Sequence, residues 1–63
     1  MPVWRHKARG TVYTEVGRAV LQMSTRDLME GDTLVIYISP DGKWWARLDD
    51  EFMDGRFEQI GED

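Results

Sequence analysis

The stretch Thr33 to Leu48, TLVIYISPDGKWWARL, constrains this chain most, because it reads as a single β-hairpin with two different faces. Ser39-Pro40-Asp41-Gly42 supplies the turn: Pro40 presets φ, Asp41 bonds locally, and Gly42 accepts a positive φ. With Pro40, Asp41 and Gly42 as a three-residue loop, Ser39 sits opposite Lys43. The pairs then step outward as Ile38 with Trp44, Tyr37 with Trp45, Ile36 with Ala46, Val35 with Arg47 and Leu34 with Leu48. Period-two alternation sends Leu34, Ile36, Ile38, Trp44, Ala46 and Leu48 to one face, which is expected to be core. The other face carries Val35, Tyr37, Trp45 and Arg47, a mixture of aromatic and cationic groups that a solvated face does not require.

The rest of the chain reads as further short strands. Val3 to Ala8 alternates Trp4, His6 and Ala8 with Arg5, Lys7 and Arg9, a strand with a cationic outer face. Gly10 allows a turn. Thr11 to Met23 then forms a long strand in which Gly17 marks a bulge or sharp bend. Ser24 to Asp32 is a polar connection with Leu28 and Met29 as apolar anchors. Asp49 to Asp54 is a single helical turn that drops Phe52 onto the core, its acids favoured near the N-terminal end of the helix dipole. Gly55 ends it, and Arg56 to Ile60 closes the chain as a last strand. Five or six short strands, tight turns and almost no helix predict an all-β fold, a small SH3-like barrel.

With 63 residues the chain forms one domain, residues 1–63, and a small one. It buries only about 60% of the surface its unfolded form exposes. There is no cysteine, hence no disulfide framework, thiolate metal site or cysteine nucleophile. Three Trp, two Tyr and two Phe must then carry the core, with self-association as an additional source of stability. No apolar run approaches a membrane span, and the start of the chain is unlike a signal peptide, so the expected location is cytoplasmic and away from the membrane.

The net charge of −4 is unevenly spread. Residues 1–26 hold five cations against one acid, giving +4, and residues 27–63 hold eleven acids against three cations, giving −8. The acidic balance argues against nucleic acid as a partner, because phosphate contacts dominate that affinity. A local basic strip can still hold a phosphate. Arg5, Lys7 and Arg9 form such a strip, spaced about 6.7 Å apart if all three lie on one strand face.

The order of motifs resembles a bacterial and phage family of small, uncharacterised domains catalogued as DUF1653. The likeness is carried by Trp4-Arg5-His6-Lys7, Gly10-Thr11-Val12-Tyr13, Leu34-Val35-Ile36-Tyr37, Trp45-Ala46-Arg47, Glu51-Phe52 and Gly55-Arg56-Phe57. It spans the chain from Trp4 to Ile60. Ile38 and Leu48 depart from the arginine and proline that the family often has at those points. The resemblance brings no established activity with it.

No catalytic constellation is present. His6, the single histidine, shares a strand face with Trp4 and Ala8 and is expected to pack and bond the backbone. A metal site would need partners that it lacks, and the acidic run Asp49-Asp50-Glu51-Asp54 does not have calcium-loop spacing, so no metal or other cofactor is expected. Tyr37, Trp45 and Arg47 remain the site-like residues, with Trp4 beside them. As a structural ladder the aromatic pair is worth about 0.2–1 kcal/mol, and Arg47 stacked on the indole adds about 0.5–1 kcal/mol. As a recognition surface, they are the residue types that dominate binding hot spots. The sequence therefore points to a non-enzymatic module that recognises a protein or peptide, or a second copy of itself, through Tyr37, Trp45, Arg47 and Trp4. The alternative is a nucleic-acid or phosphate binder using Arg5, Lys7 and Arg9.

Overall fold

The computed structural model describes residues 1–22 and 27–62. Five strands and one helical turn follow in order: β1 (Pro2–His6), β2 (Val12–Val20), β3 (Thr33–Ile38), β4 (Trp44–Leu48), α1 (Asp49–Phe52) and β5 (Phe57–Glu62). They form one antiparallel sheet in the order β4-β3-β2-β1-β5. The all-β class, the short strands and the helical turn are as the sequence predicts. Closure is not: β4 and β5 are the two edges and do not pair, so the sheet is open rather than a barrel.

The central hairpin has the register read from the sequence, from Ile38 opposite Trp44 to Leu34 opposite Leu48. Its turn closes with the Ser39 N–H donating to the Lys43 carbonyl at 3.0 Å, and Gly42 takes a φ of +85°. The irregularity expected at Gly17 is also present, as the β2–β3 register shifts between Glu15 and Gly17. β1 is shorter than Val3–Ala8 because the chain turns after His6. The Gly10 N–H donates to the His6 carbonyl, Gly10 has a φ of +76°, and His6 Nδ1 accepts the Arg9 backbone N–H at 3.2 Å.

The inward face is the reverse of the one expected. Directly opposed residues of neighbouring strands share a face. One face therefore carries Trp4, Tyr13, Glu15, Val35, Tyr37 and Phe57, and these are the buried residues, joined by Phe52 from α1. Val35 and Phe52 are fully buried at 0% exposure, whereas Trp44, expected inside, is 62% exposed. Alternation separates two faces but does not say which is covered, and both faces of this hairpin are apolar. The covering element decides. Phe52 lands on the Val35 and Tyr37 side, stacked on Phe57 at 4.2 Å and 11° and edge-on to Trp4 at 5.1 Å.

The sheet curls around this cluster. Phe57, on the edge opposite β4, has its ring 5.9 Å from Tyr37 and lies under the Arg47 guanidinium at 5.6 Å. Replacing Phe52 with Ala should remove about 3–5 kcal/mol of stability. Trp44→Ala, on the open face, should change it by about 0.5 kcal/mol or less. Urea unfolding of dilute protein followed by circular dichroism measures both, and the reverse order would place the core on the other face.

Candidate functional site

The residues expected at a recognition surface divide between core and rim. Trp4 lies in the core and its Nε1–H donates to Glu15 Oε1 at 3.0 Å, satisfying a buried acidic side chain. Tyr37 is 4% exposed and packs edge-on against Tyr13 at 5.1 Å. Neither has surface to offer a partner, because the curled sheet and Phe52 cover them. Trp45 and Arg47, on the same face but on the edge strand, remain accessible. Trp45 is 42% exposed, its Nε1–H donates to Ser39 Oγ at 3.0 Å, and Lys43 Nζ sits 4.5 Å from its ring centre.

The basic strip does not assemble as a row. Arg5 belongs to β1, which lies inside the sheet, and it pairs with Glu58 of β5 at 3.0 Å. Lys7 and Arg9 stand in the turn after β1, off the strand line that would space them evenly. His6 packs as expected, its ring edge-on to Phe57 at 5.0 Å. Among the described residues no group of three His, Asp or Glu side chains gathers as a metal-ligand set.

The feature that strand alternation alone missed is the outer face of the sheet. Row by row it places Val3, Thr14, Ile38 and Trp44 side by side, then Gly17, Ile36 and Ala46, then Ala19, Leu34 and Leu48. Trp44, Val12 and Val16 are exposed large apolar side chains on this side. Ala46 is exposed as well, and Leu34, Ile36 and Ile38 are only half-buried. Leu28 and Met29, expected as loop anchors, are themselves exposed, and Met23, the expected end of the long strand, lies with Ser24 to Arg26 outside the described residues. An open depression of about 530 Å³ wraps the edge of β4, with Leu28, Leu34, Trp45, Ala46, Arg47 and Glu51 among its walls.

β4 also presents its backbone. Ser39 and Lys43 form a hydrogen-bonded pair, so by antiparallel alternation Trp44, Ala46 and Leu48 occupy non-bonded positions. The N–H groups of these three residues, and the carbonyls of Trp44 and Ala46, therefore point to the free edge. The other edge is protected differently: β5 carries Glu58, Gln59 and Glu62, and its register with β1 shifts between Val3 and Trp4. Charges and irregularities of this kind discourage strand addition, and β4 has neither at its centre.

No family model, no curated protein and no solved structure matches the chain.

The turn that sets this surface has one perturbed group. The Ser39 hydroxyl donates to the Asp41 carboxylate, and the Lys43 backbone N–H adds a bond at 3.2 Å; together they hold Asp41 below the ordinary carboxylate range. A carboxyl whose pKa is lowered on folding stabilises the fold above its unfolded pKa, and that contribution is lost as pH falls through the folded value. The urea midpoint of Asp41→Asn should accordingly lie below wild type at neutral pH, with the gap closing on acidification below the ordinary carboxylate range. A gap that is the same at every pH would contradict this role for Asp41.

Proposed function

We propose that this protein is a non-enzymatic binding module that recognises a protein or peptide through the sheet surface centred on β4. The observation that carries the reading is the open apolar outer face, where Trp44 is 62% exposed beside Ala46, Ile36 and Ile38. Exposed contiguous apolar surface rimmed by polar groups marks protein contact sites. Trp45 and Arg47 line the rim on the inner side, and both residue types are enriched where binding energy concentrates. The free backbone groups of β4 favour an extended partner, since an added strand is held by main-chain bonds and selected through alternate side chains. The strand order, with a helical turn between β4 and β5, also supports the sheet as an opened form of the SH3-like architecture.

The nucleic-acid or phosphate alternative draws less support. It would use Arg5, Lys7 and Arg9, of which Arg5 is committed to Glu58 and the other two stand in a turn.

Selection from a random peptide display library tests the proposal. Wild type should enrich peptides with alternating apolar residues. Trp44→Asp should weaken their binding at least about tenfold, the order expected for a central aromatic contact, while the fold is kept. Lys7→Ala with Arg9→Ala should leave binding unchanged. Recovery of no peptide, or binding lost only in the basic-turn variant, would overturn the proposal.

A further inference from the structure

We infer that β4 pairs antiparallel with β4 of a second copy of this chain, about a two-fold axis at Ala46, to give one continuous sheet across two subunits. The inference rests on β4 being the contact element and names its partner.

The strand is self-complementary in this register and not in its neighbours. With Ala46 opposite Ala46 of the second copy, each exchanges its outward N–H and carbonyl with the other, and the Leu48 N–H meets the outward Trp44 carbonyl. On the outer face Trp44 then lies against Leu48, extending the apolar rows already present. On the inner face Trp45, with Lys43 Nζ 4.5 Å from its ring centre, lies against Arg47, whose guanidinium rests over Phe57, so neither like charges nor like rings oppose one another. Just beyond the strand at each end, Lys43 comes to the start of α1, where Asp49 stands 3.9 Å from Arg18 and gives the incoming lysine an opposite charge.

Moving the axis spoils this match. An axis at Trp45 sets Lys43 against Arg47, and an axis at Arg47 sets two arginines face to face. An axis at Trp44 places Ala46 against Gly42 and Leu48 against Pro40, both in the hairpin turn. An axis at Leu48 places Ala46 against Asp50 in α1. Charge complementarity therefore selects the partner as well as the register: β4 fits β4.

Sedimentation across concentration, with circular dichroism as the check on folding, decides the matter. Wild type should show a reversible dimer. Ala46→Pro should be a folded monomer, because the lost N–H is one that the single chain leaves unbonded at its edge, where proline is tolerated. Lys43→Glu should raise the dimer dissociation constant about tenfold, since attraction becomes repulsion at both ends. Adding Asp49→Lys to it should recover the affinity lost relative to Asp49→Lys alone, the control for the Arg18 contact that this change removes, a rescue that only this register gives and that does not depend on whether Ala46→Pro folds. A wild type monomeric at all concentrations, or a dimer indifferent to the charge swap, would overturn the inference. A monomer that still takes up display peptides would sink the dimer alone. A charge-sensitive dimer that takes up none would keep it while ending the peptide-binding reading.

Discussion

The stack of Phe52 on Phe57 is the contact on which this structure depends. The chain has 63 residues and no cysteine, and its described residues offer one sheet and one helical turn from which to build a core. α1 places Phe52 over the sheet, where it meets Trp4, Tyr37 and Phe57 together. Each such ring pair adds about 0.5–1.5 kcal/mol beyond the area it buries. The polar groups that the cluster covers are satisfied locally. Trp4 bonds Glu15, and Arg18 stands 3.8 Å from Glu15 and 3.9 Å from Asp49, tying β2 to the start of α1.

A single covering residue also explains what stays uncovered. Phe52 can protect only one face, and the described residues form no second layer for the other. The outer rows from Val3 to Trp44 and from Gly17 to Ala46 are therefore left open, although their composition is that of an interior. The two edges differ in the same way. β5 carries glutamates and a register shift, while β4 carries two tryptophans and outward backbone groups. The open face and the open edge meet on β4, which is why one strand collects the features of a contact surface.

The local chemistry was legible in the sequence and the choice of face was not. Pro40-Asp41-Gly42 specified the turn, and with it every pair of the β3–β4 ladder. Gly17 marked the β2 irregularity, and Phe52 was read correctly as the residue dropped onto the core. Alternation, however, divides a strand without ranking its halves. Leu34, Ile36 and Ile38 looked more like core than Val35 and Tyr37, yet the long-range position of Phe52 put Val35 and Tyr37 inside. That one reversal moved Tyr37 from a recognition surface into the core and exposed Trp44, while Trp4 lies inward on the face of β1 that alternation already set opposite its cations. The cationic row failed for a local reason, the turn after His6 that takes Lys7 and Arg9 off the strand.

Proton nuclear Overhauser spectra of the aromatic side chains test this account most directly. It predicts cross-peaks linking the Trp4, Phe52, Phe57 and Tyr37 rings, with the Trp44 ring connected to none of them. Cross-peaks from Trp44 to Phe52, with Tyr37 isolated, would show that the sheet is covered on its other face and would contradict the account.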